Sequence, residues 1–124
     1  MIYADKGKEQ EQFISFVEHA ISILAEENYT SFLSLFDSSR LAEQDLIRAL
    51  KYLDESRPTV KVDNPTQIKT ENQIIYMNSY NDGSGYWMDY DLTTDGELND
   101  LTVQIEFLKQ KEGYSVVLDD LHTL

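Results

Sequence analysis

The sequence has no cysteine, so no disulfide holds the fold and no thiolate can serve as nucleophile or metal ligand. Only two histidines are present, His19 and His122. No stretch of about 18 consecutive apolar residues occurs, so no membrane span is expected. Met1 to Gln12 is polar and lacks an apolar core, so no secretory leader is expected and the cytoplasm is the expected compartment. Basic residues are scarce: 10 Lys and Arg stand against 23 Asp and Glu, a net charge of -13. Binding to nucleic acid or to an anionic membrane draws on clustered lysine and arginine, so neither is expected here. A basic protein partner would instead be drawn in quickly. Phosphate-binding glycine loops, the nucleophile elbow G-x-S-x-G and the zinc helix H-E-x-x-H are all missing.

What is present is enough for one domain. A chain of 124 residues can bury a core without staples. The first half reads as helix. Phe13, Val17, Ala20, Ile21 and Leu24 recur at helical spacing and predict a helix over residues 7–27. Asn28 is a suitable cap for a short second helix carrying Tyr29, Phe32, Leu33 and Phe36. Asp37-Ser38-Ser39 reads as a break, and a third helix follows with Leu46, Ile47, Leu50 and Leu53 on one stripe. It must end before Pro58, which disfavours helix at Arg57.

The second half reads as sheet. Leu101, Val103, Ile105 and Phe107 alternate with Thr102, Gln104 and Glu106. Tyr114, Val116 and Leu118 alternate in the same way, after a polar turn from Lys109 to Gly113. Gln73 to Tyr80 and Tyr86 to Leu92 form another pair around a turn at Asn81 to Gly85. A weaker strand is expected between Thr59 and Ile68. Helices first and an antiparallel meander second is an α+β order. The expected architecture is one domain over residues 1–124, with helices in 7–56 packed on a curved antiparallel sheet in 59–122, forming a cone open at one end.

Three clusters carry candidate chemistry. Asp89, Asp91, Asp95, Glu97 and Asp100 place five carboxylates within twelve residues. Counted as a calcium loop from Asp91, position 12 is Thr102 where a bidentate glutamate is needed, so the EF-hand is rejected; a looser calcium site of carboxylates and carbonyls is a minor alternative, and the leading expectation is no metal and no cofactor. The bland reading of this cluster is a solvated hairpin turn; the sharper one is a docking surface. Near the other end, Asp120 and His122 share one face of a strand and Asp119 takes the other. A carboxylate beside a histidine suits acid–base work, yet no nucleophile or third ligand is identifiable. A structural pair closing the last strand competes with that reading. Finally, Tyr76, Tyr80, Tyr86, Trp87, Tyr90 and Tyr114 crowd the sheet. They serve either as core or as an interface, and Trp87, on the same face as Asp89 and Asp91, is the residue expected to meet a partner.

The stretches Asp100-Leu101-Thr102-Val103 and Leu118-Asp119-Asp120-Leu121-His122-Thr123-Leu124 resemble the C-terminal strands of a group of small uncharacterised bacterial proteins. The resemblance implies a bacterial source and a recurring last strand, and no established activity. Helices followed by a bent sheet are also similar, at the level of fold alone, to nuclear-transport-factor-2-like cones. The leading expectation is a non-enzymatic binding module, of the immunity type that neutralises a basic toxin domain, with contacts at Trp87, Asp89, Asp91, Asp95 and Glu97. The alternative is a ligand-binding or enzymatic cone with Asp120 and His122 at its mouth and tyrosines lining it. Self-association as a structural subunit is a third reading.

Overall fold

The computed structural model describes residues 1–51, 56, 58–67 and 75–123. Helix α1 spans Glu9–Ala25 and buries Phe13, Val17, Ala20, Ile21 and Leu24, the stripe its spacing predicts. It is shorter than expected at both ends. Gly7 takes a left-handed φ before it and Glu27 does so after it. Asn28 then caps α2 (Tyr29–Ser34), its side-chain oxygen accepting from the Ser31 N–H at 3.2 Å. Helix α3 covers Glu43–Leu50 and buries Leu46 and Leu50. The Asp45 carboxylate accepts from the Ala42 N–H at its start. Leu53, expected on the same stripe, and Arg57 lie outside the described residues.

Among the described residues the sheet has five strands: β1 (Ser38–Ser39), β2 (Ile75–Ser79), β3 (Gly85–Thr94), β4 (Glu97–Lys109) and β5 (Tyr114–Thr123). Their order is β1-β5-β4-β3-β2. The class is α+β, as the order of patterns implies. The sheet is mixed, however, because β1 runs parallel to β5 while the other pairs are antiparallel. This corrects the all-antiparallel expectation and the reading of Asp37-Ser38-Ser39 as a simple break. Those residues pair through their backbones, with Asp37 N–H on the Val116 carbonyl and Arg40 N–H on the Leu118 carbonyl. The Asp37 carboxylate also accepts from the Val116 N–H and from the Met1 amino group. Burial pushes that carboxyl up, but the ammonium and the Val116 N–H outweigh it and hold it below its ordinary value.

The expected strand between Thr59 and Ile68 does not form over residues 58–67. That segment instead folds around Asp63, and Ile68 lies outside the described residues, as do Gln73, Ile74 and Leu124. Thr94-Asp95-Gly96-Glu97 is a tight hairpin with left-handed φ at Asp95 and Gly96. Asp63 fastens it: its carboxylate accepts from the Asp95 and Gly96 N–H groups and the Thr93 hydroxyl.

The core lies between the helices and one face of the sheet. Phe13, Val17 and Leu24 from α1, Phe32 from α2 and Leu46 from α3 meet Met88, Tyr90, Leu92, Val103, Ile105, Phe107, Val116 and Leu118. Phe13 stacks on Phe107 with ring centroids 4.1 Å apart, and Tyr86 and Tyr114 meet Phe13 edge-on. Tyr90 is buried but keeps its hydroxyl bonded to Glu18 of α1 at 2.9 Å. No helix among the described residues is long and apolar enough to cross a membrane.

Candidate functional site

Strand alternation sends every second side chain away from this core. On β3 these are Trp87, Asp89 and Asp91; on β4, Thr102, Gln104 and Glu106; on β5, Asp120 and His122. The register aligns them across the sheet. Tyr76, Asp89, Gln104 and Asp120 form one row. Trp87 and Glu106 belong to a second, and Asp91, Thr102 and His122 to a third. The flank of α3 reaches the β5 end of this face, where Asp45, Arg48 and Ala49 stand beside Asp120 and His122, and most of these residues are half-buried.

The two clusters that sequence reasoning treated as rivals therefore share one surface. Trp87, Asp89 and Asp91 and the Asp120–His122 pair stand on neighbouring strands of the same open face. Asp95 and Glu97 do not join them. They sit exposed at the tip of the β3–β4 hairpin, with the turn backbone held by Asp63. Tyr86 and Tyr90 point into the helix-facing core, whereas Tyr76 is 57% exposed on the open side.

Asp119 corrects the simple alternation. Ile105 pairs with Leu118 and Gln104 with Asp120, so Asp119 is the extra residue of a bulge in β5. Its carboxylate lies on the open face, where the alternation from Leu118 puts it, and the bulge brings Asp120 and His122 to the same face, where strict alternation would have sent them into the core. There Asp119 forms an ion pair with Nη1 of Arg40 at 2.7 Å. Nη2 of the same guanidinium meets Glu106 at 3.1 Å. Glu106 also accepts from the Tyr80 hydroxyl. Tyr80, Trp87, Asp89, Gln104, Glu106 and Asp119 line a shallow cavity of about 330 Å³. Within it, Asp89 has no hydrogen-bond or ion-pair partner among the described residues. Asp91 does have one, accepting from the Thr102 hydroxyl at 2.9 Å.

This arrangement marks Tyr80 electrically. Burial pushes its phenol up, and the Glu106 hydrogen bond, the Glu106 charge and the Asp119 charge add to it, against Arg40, to give a value of about 12 instead of 10.0. The fold thus favours the protonated phenol. The associated stabilisation is complete below pH 10 and is lost as pH rises through about 12. In an ultraviolet difference titration of wild type against Tyr80→Phe, the missing phenol should ionise near 12, and Glu106→Gln should bring it back toward 10. Ionisation near 10 in the wild type would contradict the bonded geometry.

His122 is one-third exposed, and its Nδ1 lies 3.3 Å from an Asp120 carboxylate oxygen. That nitrogen is shielded from solvent, yet the contact lacks the alignment of a hydrogen bond. The other Asp120 oxygen accepts from the Leu121 N–H. The pair borders a cavity of about 350 Å³ walled by Leu41, Asp45, Arg48 and Ala49 at the start and flank of α3, not by tyrosines. Among the described residues no group of three or more His, Asp or Glu is placed to hold a metal ion.

Sequence reasoning missed Arg40, Glu106 and Asp63, and named Tyr80 only among the sheet's aromatics. Glu106 was legible on the polar side of the clearest alternating run. Arg40 had no local signal, since its position depends on β1 pairing with β5.

Fold and surface define a small α+β domain with one sheet face covered by helices and the other open, acidic and aromatic. The chain belongs to the family described as a domain of unknown function, DUF7668, which matches residues 21–124. The match takes in α2, α3, the whole described sheet and every residue of the open face, in keeping with the resemblance to uncharacterised proteins. No curated protein matches the chain, and no solved structure does.

Proposed function

We propose that the protein is a non-enzymatic binding module whose open sheet face receives a basic protein partner. An immunity-type role in the cytoplasm, neutralising a basic toxin domain, is the form of this function that fits best. The observation that carries the reading is the gathering of Asp89, Asp91, Glu106, Asp119 and Asp120 on the face that also holds Trp87, Tyr76 and Tyr80. Carboxylates steer and select a cationic partner, and large aromatics with polar tips anchor it. The chain's charge of -13 extends the same field beyond the contact. Asp95 and Glu97, at the hairpin tip, would contribute to steering more than to the contact itself.

The test is affinity capture from a lysate of the protein's own organism, comparing wild type with Trp87→Ala and Asp89→Asn. A stoichiometric basic protein should be retained at about 50 mM salt and released at about 500 mM, where the Debye length falls to a few ångströms. Both variants should lose it at low salt. Retention of the same protein by both variants would remove the open face from the account.

A second reading has one observation in its favour, the Asp120–His122 contact beside the cavity under α3. It makes the domain a ligand-binding or catalytic relative of the nuclear-transport-factor-2-like cones. His122→Ala would then abolish binding of a small molecule with little change in stability.

A further inference from the structure

We infer that the cavity beside Trp87 is a guanidinium site for an arginine of the partner, and that Arg40 is its built-in competitor. The inference deepens the protein-binding reading and rests on it. Its starting point is that a guanidinium is already seated at the rim. Arg40 spans Glu106 and Asp119, and both carboxylates also line the cavity. Their spacing therefore suits the planar fork of a guanidinium. Arg40 itself is not among the lining residues. The remaining wall is complementary to the same group. Asp89 supplies a carboxylate with no partner among the described residues, Gln104 a carbonyl oxygen, and Trp87 an indole, the best of the aromatic surfaces for a cation.

Arg40 is held in a way that permits release. Its backbone is fixed by the N–H bond to Leu118, but its side chain is 65% exposed. Ion pairs that open to solvent contribute little stability. An incoming arginine would meet repulsion from Arg40 if both stayed, so it must displace the Arg40 side chain and take over its carboxylates. Arg40 then sets a threshold: weak cations fail to displace it, and an arginine presented on a docked surface succeeds.

Trp87 is the only tryptophan in the chain and reports on its own site. The probe is a blocked Gly-Arg-Gly peptide titrated against the full chain, with the citrulline peptide as the uncharged isostere. The arginine peptide should change Trp87 emission saturably and the citrulline peptide should not. Arg40→Ala should tighten the arginine peptide by about fivefold, the loss of one weakly held competitor. Arg40→Gln, which keeps most of the stem, should do the same. Lys111→Ala removes an equal charge from the exposed β4–β5 turn and should leave affinity unchanged. Equal gains from Arg40→Ala and Lys111→Ala, equal binding of both peptides, or no saturable change in Arg40→Ala would each overturn the inference. The two claims fail separately. A basic partner that binds wild type and Arg40→Ala equally, with the peptide indifferent too, overturns the guanidinium site and spares the binding module. A peptide gain in Arg40→Ala with no macromolecular partner supports the site and counts against the module.

Discussion

Replacing Phe13 with alanine should cost about 3–5 kcal/mol of stability, a large share of the 5–15 kcal/mol typical of a domain. Phe13 is fully buried, and its ring is the point where α1 meets the sheet. It stacks on Phe107 with planes 7° apart and receives the edges of Tyr86 and Tyr114. Alanine would leave a void lined by three aromatic rings that the surrounding strands cannot collapse to fill. Phe13→Leu should cost much less, because it keeps most of the volume. Urea unfolding followed by circular dichroism measures both. A loss below about 1 kcal/mol for the alanine variant would mean that α1 is not packed on β4 as described.

Gly85→Ala should be about as damaging, for a backbone reason. A Cβ at Gly85 would lie 2.0 Å from the Phe107 carbonyl oxygen, and φ there is +149°. Neither the clash nor the conformation can be relieved by a side-chain rotation, so β3 must move away from β4. The expected cost is about 3 kcal/mol or more. The consequence reaches the open face. Gly85 accepts from the Tyr80 N–H, and its neighbour Ser84 accepts from the Lys109 N–H. A displaced hairpin would carry Tyr80 off Glu106, so the phenol should titrate nearer 10 than 12. Gly83 is the internal comparison. Its φ is +76° but a Cβ there would meet nothing within 4 Å, so Gly83→Ala should cost only about 1 kcal/mol, the strain of a left-handed alanine. Equal losses at the two glycines would contradict the close approach at Gly85.

The sequence was most legible where one face of an element is buried. The α1 stripe and the alternation of β3, β4 and β5 follow directly from that asymmetry, and so does the placement of Trp87, Asp89 and Asp91 on one side. Illegible features were those made by backbone pairing or by bulges. Ser38 and Ser39 carry no strand signal, because β1 exists only through the edge of β5. Arg40 was invisible for the same reason. Asp119 was expected on the opposite face from Asp120 and His122, and all three share the open face because a bulge interrupts the period of two after Asp119. Asp63 could be read as a loop residue but not as the clasp of a hairpin some thirty residues away. The two rival clusters merged only once the β4 register placed Gln104 between Asp89 and Asp120.

The central claim is that the open acidic face takes up a basic partner by electrostatic steering and aromatic anchoring. The most direct measurement is the association rate of the captured partner with wild type and with Asp89→Asn, from about 50 to 500 mM salt. The wild-type rate should fall at least about tenfold over that range while dissociation changes far less. Asp89→Asn should start lower and depend less steeply on salt. An association rate that is indifferent to salt and to Asp89 would contradict the account.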